Sequence, residues 1–150
     1  MLQDDIYSAI QIPMNLFDSK LIHGGYLKRL EERDIAVFVR SIFLQGLFFL
    51  DPDRIQDPDL KRYAVPQLKA LRKLADKANM SIAQFAISFI RDLPGVTSLV
   101  LGADTKEQVK ENISLVDGPS ISEGLRNEAY ESFSGVNLEA IMTVLSRPKQ

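Results

Sequence analysis

Three short apolar runs, set far apart, constrain this chain more than any other feature of it. "AIQIPM" (9–14), "DIAVFVRSIF" (34–43) and "VTSLVLG" (96–102) each suit one strand. Hairpins would need short links between them. The links are long and carry helical patterning, so they read as crossovers, and a crossover joins parallel strands. The predicted order is strand, helix, strand, helices, strand, helices, an α/β chain with a parallel sheet. Pro13 confines the first run to a strand end. The second run is β-branched and apolar on both faces, which predicts a strand covered on both sides.

The helices follow from period and caps. "YLKRLEERD" (26–34) puts Leu27 and Leu30 on one face. "VPQLKALRKLADKAN" (65–79) sets Val65, Leu68, Leu71 and Ala75 in a stripe behind Pro66, which suits a first helical turn. Ser81 with Gln84, and Thr105 with Gln108, have the spacing of a reciprocal N-terminal cap. "SEGLRNEAYESFSG" (122–135) and "NLEAIMTVL" (137–145) complete the helices. "LDPDRIQDPDL" (50–60) reads as the one long irregular loop, and long loops are often functional.

Composition removes several classes of function. With 150 residues the chain is the size of one domain, and 45% apolar with 25% charged residues suits a globular fold. A net charge of −2 argues against a nucleic-acid or membrane-surface binder. There is no cysteine and one histidine, His23, so disulfides, thiolate sites and histidine-rich metal sites are excluded. No run approaches the ~20 apolar residues of a membrane span. The first ten residues lack the pattern of a signal peptide. The expected compartment is the cytoplasm.

The third run ends at a junction, "LVLGADTKEQVKEN" (99–112), where strand hands over to helix. Gly102 and Ala103 let backbone come close to a ligand. The helix start at Thr105 offers unpaired N–H groups and a positive dipole end, a place that favours anions. Gln108, Glu111 and Asn112 recur at helical spacing on one face. On spacing alone an ordinary capped surface helix is the favoured reading.

Read in order, "IQIPMNLFD" (10–18), "VRSIFLQGL" (39–47), "SIAQFAISFIRDLPGVTS" (81–98) and the junction resemble the C-terminal half of an aldo-keto reductase. That family is an eight-stranded β/α barrel that reduces carbonyls with a nicotinamide cofactor. The resemblance runs from about Ile6 to about Val136. It implies a partial (β/α)8 barrel whose strands, near 9–14, 35–41 and 97–101, are the sixth to eighth, with a helical tail over 137–150.

The resemblance also implies a cofactor site. Gln11 matches the glutamine that bonds the nicotinamide carboxamide, with a strand-end residue bonding backbone as the plainer reading. Arg40 stands where many members place a tyrosine against the nicotinamide ring, and a guanidinium plane also stacks on an aromatic face. Ser41, Phe43, Gln45 and Gly46 fall along the pyrophosphate, though Phe43 equally suits the core. Gly102, Ala103, Thr105, Lys106, Gln108, Glu111 and Asn112 fall at the adenosine end. NADP(H) is the implied cofactor. NAD(H) stays open, because Gln108 replaces a frequent arginine, Asp104 adds negative charge and Lys106 is the only close basic residue.

The family's Asp, Tyr, Lys and His come from its first four strands, and the resemblance places none of them here. Tyr7 has no lysine close in sequence and His23 sits in a helix–loop segment, so neither is given a catalytic role. The implied function is a cofactor-binding C-terminal fragment of a carbonyl-reducing enzyme, inactive alone, with a small carbonyl substrate only if the barrel is completed. The alternative is a non-catalytic interaction or regulatory half-barrel that self-associates. A barrel-facing surface carrying Ile10, Ile12, Val37, Val39, Leu99 or their neighbours would lack its opposite half. That predicts a homo-oligomer or a complex with an N-terminal half-barrel. A flavodoxin-like domain is disfavoured, since "IPMNLFDSK" has no phosphate-cradling glycine.

Overall fold

A computed structural model of the chain describes residues 7–147. Ile6, where the resemblance begins, and the last three residues of the 137–150 tail lie outside them. Three strands, β1 (Ala9–Pro13), β2 (Ala36–Arg40) and β3 (Ser98–Leu99), form one sheet in that order. Both pairings are parallel. The helices are α1 (Ser19–His23), α2 (Tyr26–Glu31), α3 (Pro58–Tyr63), α4 (Val65–Lys77), α5 (Ile82–Arg91), α6 (Lys106–Val116), α7 (Glu123–Phe133) and α8 (Leu138–Leu145). The architecture is a small parallel sheet with flanking helices, an unfinished barrel.

The register separates the two faces of the sheet. Ile10 lies beside Val37, and Val39 lies between Ile12 and Leu99. Val37 and Val39 are fully buried, and Ile10, Ile12 and Leu99 pack against the same core. These five residues face the helices, so of the two sets the expectation allowed it is their neighbours that face the open side. The period-2 alternation of a strand sends their neighbours the other way. Gln11, Phe38 and Ser98 form one row across the inner face, with Ala9, Pro13 and Arg40 beside it, and all six are exposed. So β2 is covered on one side only, not on both.

The core lies between the outer face and α4, α5 and α7. Phe85, Ala86, Ile87, Phe89 and Ile90 of α5 are buried, as are Leu68 and Leu71 of α4. Phe17, after β1, meets Phe48 and Phe133 at ring distances of 4.9 and 5.0 Å. Asn15 is buried because its Oδ1 accepts the Phe17 N–H and shapes the turn that delivers that ring.

The 50–60 segment is more ordered than its composition predicts. Each of its Asp-Pro-Asp triplets starts a helical turn. Asp51 caps a 3-10 turn over Pro52–Arg54, and Asp57 caps α3 through the Asp59 and Leu60 amides. Proline at N1 gives up an N–H that would be unpaired there anyway. Before β3, the chain turns through Gly95 at φ +84°, where an added Cβ would lie 2.8 Å from the Leu27 carbonyl oxygen. Thr97 then fixes β3, since its hydroxyl accepts the Val37 N–H at 2.9 Å. No helix among the described residues is long and apolar enough to cross a membrane.

Candidate functional site

The C-terminal ends of the strands form a rim. At β2 the chain leaves through an unusual turn: Ser41, Leu44 and Gln45 have φ of 64°, 49° and 55°, and Gly46 has 83°. Left-handed backbone at non-glycine residues is held only where packing fixes it. Ile42 and Leu44 supply that packing, each only 2% exposed. Opposite this turn runs the 100–104 segment. Between them lies a hollow of about 610 Å³, lined by Ser41, Phe43, Gln45, Gly46, Gly102, Ala103 and Gln108 among the expected residues. Phe43 leans on Phe49, ring centroids 5.0 Å apart.

The remaining expected residues lie outside that hollow. Gln11 is on the inner face beside Phe38. Arg40 is in register with Pro13 and donates to the Ser41 hydroxyl at 3.2 Å. Thr105 caps α6, Lys106 is its first residue, and Glu111 is exposed along it. Asn112 donates to the Gly102 carbonyl at 3.2 Å, tying helix to strand exit.

The opening of α6 is partly closed by the protein itself. Gln108 Oε1 accepts the Asp104 N–H at 2.6 Å and the Thr105 N–H at 3.2 Å, while Thr105 Oγ1 accepts the Gln108 N–H. This is a complete capping box. It engages, from within, the Asp104, Thr105 and Gln108 amides, which are some of those an anion at this place would use. Gly46 and Gly102 have open space where a Cβ would stand, so neither is a tight cradle.

The rim carries few ionisable side chains. Its ionisable side chains are Arg40, Asp104 and Lys106, and an arginine does not exchange its proton in a protein. Tyr7 precedes β1 at the far end of the sheet, and His23 packs edge-on to Tyr130 at 5.1 Å. No group of three potential metal ligands occurs among the described residues. The 50–60 segment and the tail are bound to each other: Arg147 reaches Asp59 at 2.7 Å and Asp57 at 3.5 Å.

A second feature, absent from the sequence reading, lies on the outer flank of β3. A groove of about 300 Å³ runs between β3 and α6, lined by Leu99, Leu101, Val109, Ile113 and Val116, with Asn112 and Asp117 at its sides. Val109 and Ile113 are 48% and 57% exposed. On its other side α6 is fastened by polar bonds. Gln84 donates to the Leu115 carbonyl at 2.9 Å, and Arg91 to the Val116 and Gly118 carbonyls at 2.6 and 2.8 Å. Ser88 donates to the Pro119 carbonyl at 2.7 Å. Asp92 anchors this clamp. Burial alone would raise its pKa, but hydrogen bonds involving Arg91 and Ser120 and the charges of Arg91 and Arg126 outweigh burial and hold it below the usual carboxylate value.

Comparison with known proteins fits this geometry. The sequence profile described as the aldo/keto reductase family matches residues 5–123. The uncharacterized oxidoreductase YqkF of Bacillus subtilis (strain 168) is 25% identical over 122 residues, 77% of this chain and 39% of that protein. The holo form of the aldo-keto reductase AKR11C1 from Bacillus halodurans superposes with a TM-score of 0.67 at 19% identity, covering 87% of this chain and 44% of that one. Its apo form gives 0.65 at 20%, covering 83% and 43%. The glycerol dehydrogenase AKR11B4 from Gluconobacter oxydans gives 0.63 at 22%, covering 95% and 44%. The chain thus spans less than half the length of each. The extent of the match corrects one expectation. The family profile covers most of this chain, its N-terminal and central part, rather than marking the chain as a C-terminal half. The reading as a cofactor-binding fragment of a carbonyl-reducing enzyme falls with it, since an unfinished three-stranded sheet is not a full cofactor-binding half.

Proposed function

The chain belongs to the aldo/keto reductase family, and we propose that it serves there as a non-catalytic interaction or regulatory module, a partial barrel that associates with itself. One observation carries this reading: β1 and β3 each pair only with β2, so both edges of a parallel sheet stand open among the described residues. An open edge is a row of unpaired N–H and C=O groups, and proteins cover such rows or pair them. The exposed inner face, with Phe38 37% exposed, adds apolar surface that association would remove from water. The rim gives the complementary half of the argument. Its strand ends carry an amide, a hydroxyl and a guanidinium, groups that bind and orient.

Sedimentation velocity of the full chain over a wide concentration range tests the proposal. A dimer that persists at low micromolar concentration is expected, with no NADPH-dependent reduction of small aldehydes. A monomer at every concentration, or measurable turnover, defeats it. The compartment that goes with this reading is the cytoplasm.

The 610 Å³ hollow favours one second reading, a regulatory dinucleotide pocket. NADP(H) is its ligand by family habit, with NAD(H) as the alternative. Binding requires Gln108 to swing off the Asp104 and Thr105 amides. Titrating the chain into NADPH and following nicotinamide fluorescence reads this directly, and an unchanged signal at millimolar chain removes it.

A further inference from the structure

We infer that Asp117–Gly118, just past the end of α6, is a site of spontaneous backbone modification, aspartate to isoaspartate, and that the Arg91 clamp holds the reaction back. This holds independently of any association between copies.

The chemistry is intrinsic to the pair. The Gly118 amide nitrogen attacks Cγ of the Asp117 side chain. A C–N bond forms, the nitrogen gives up its hydrogen and the carboxyl its OH, and one water leaves behind a five-membered succinimide. Water then opens the ring at either carbonyl. One opening restores aspartate. The other leaves the main chain running through the side chain, one methylene longer. Glycine favours the attack because no side chain crowds its nitrogen. The pair is the only Asp-Gly in the chain, and there is no Asn-Gly.

Packing installs this labile pair. A Cβ at Gly118 would overlap the Gln84 side-chain amide. That amide cannot step aside without losing the Ser88 hydroxyl at 2.8 Å and the Leu115 carbonyl at 2.9 Å. Asp117 itself is exposed, and no hydrogen bond or ion pair among the described residues holds its carboxyl.

The backbone keeps the pair from reacting. Ring closure needs the Gly118 nitrogen to eclipse Cβ of Asp117. Asp117 has ψ −3°, so that nitrogen eclipses the residue's own backbone nitrogen instead. The Gly118 N–H is also engaged, donating to the Leu115 carbonyl at 3.3 Å. Turning ψ carries the Gly118 carbonyl away from that of Val116. A single Arg91 nitrogen, Nη1, bonds both, at 2.8 and 2.6 Å, so closure waits for the clamp to open. The added methylene then keeps the two carbonyls from meeting Nη1 together again. A brief local opening thereby becomes a lasting covalent change.

The full chain, incubated at neutral pH and physiological temperature, tests this. Isoaspartate is read by methyl transfer from S-adenosylmethionine with an isoaspartyl methyltransferase, and peptide mapping locates it. Slow gain at residue 117 is expected in the folded chain, with gain at least tenfold faster in urea. Arg91→Ala is expected to gain at least tenfold faster without urea. Asp117→Glu, which would need a six-membered ring, abolishes the signal. Phe89→Ala controls for general destabilisation, since it weakens the core and leaves the Arg91 bonds in place. Compared at urea concentrations that leave equal fractions folded, it gains more slowly than Arg91→Ala. Equal gain in the wild-type chain and folded Arg91→Ala, or in Arg91→Ala and Phe89→Ala at equal fractions folded, overturns the clamp's role. Isoaspartate chiefly at another aspartate overturns the site. Should Arg91→Ala not fold, Gln84→Ala frees the Leu115 carbonyl from the same clamp, and an unchanged rate in it overturns the inference equally.

Discussion

Helices α5 and α6 begin alike and end in opposite situations. Each is capped by a hydroxyl, at Ser81 and Thr105, and they run 10 and 11 residues. Every residue from Phe85 to Ile90 in α5 is buried, and none in α6 is. α5 lies among the sheet, α4 and α6, with the 115–120 segment closing its polar side. α6 has protein on one side only. The comparison teaches that an apolar stripe shows what a helix can bury, while its neighbours decide what it does bury. Val109 and Ile113 are as apolar as much of the core, but they stand at the border of the molecule.

The largest expected effect tests the α5 side. Phe89→Ala removes a ring that packs against Tyr130 at 5.1 Å, with Arg126 over it at 5.2 Å. Destabilisation of ~3–5 kcal/mol in urea unfolding is expected, and a value near zero would mean that α5 is not core. Asp92→Asn comes next. The folded carboxylate is held below its unfolded pKa, so its stabilisation is fully present above the unfolded value and is lost as pH falls through the folded one. The variant loses that part of the acid dependence, and costs about 1.5–3 kcal/mol at neutral pH because charged hydrogen bonds are broken. An unchanged acid-unfolding profile would contradict the clamp. Thr105→Ala opens the α6 cap at a cost of about 1 kcal/mol, seen as faster hydrogen exchange in α6 but not in α5. Ile113→Ala is smallest for the isolated chain, within ~0.5 kcal/mol, as for ordinary surface positions. A larger loss, measured where the chain is monomeric, would place Ile113 in the core after all.

Much of the architecture was legible because spacing leaves few options. Three apolar runs with helix-patterned links lead to a parallel sheet, and Ser81 and Thr105 announce their helices. Other features were hidden for physical reasons. Asp-Pro suits a turn and a helix start equally, so residues 51–59 read as loop where they begin two helical turns. In β2 an apolar Phe38 conceals the alternation, and only pairing with Gln11 and Ser98 shows that it faces the open side. Gln108 carried two messages at once. Its position three residues after Thr105 marks a reciprocal cap, and a completed cap leaves the Asp104, Thr105 and Gln108 amides engaged. The groove beside α6 was invisible, since no local pattern tells whether a helix has a neighbour.

Gly95 joins the two limbs of this comparison. The turn that launches β3 presses against the Leu27 carbonyl of α2, with no room for a methyl group between them. Even alanine there would act as a wedge and push α2 away from the turn. The helix that leads into β2 and the turn that leads into β3 are therefore geared together through one missing side chain, so a change at that single position would move both at once.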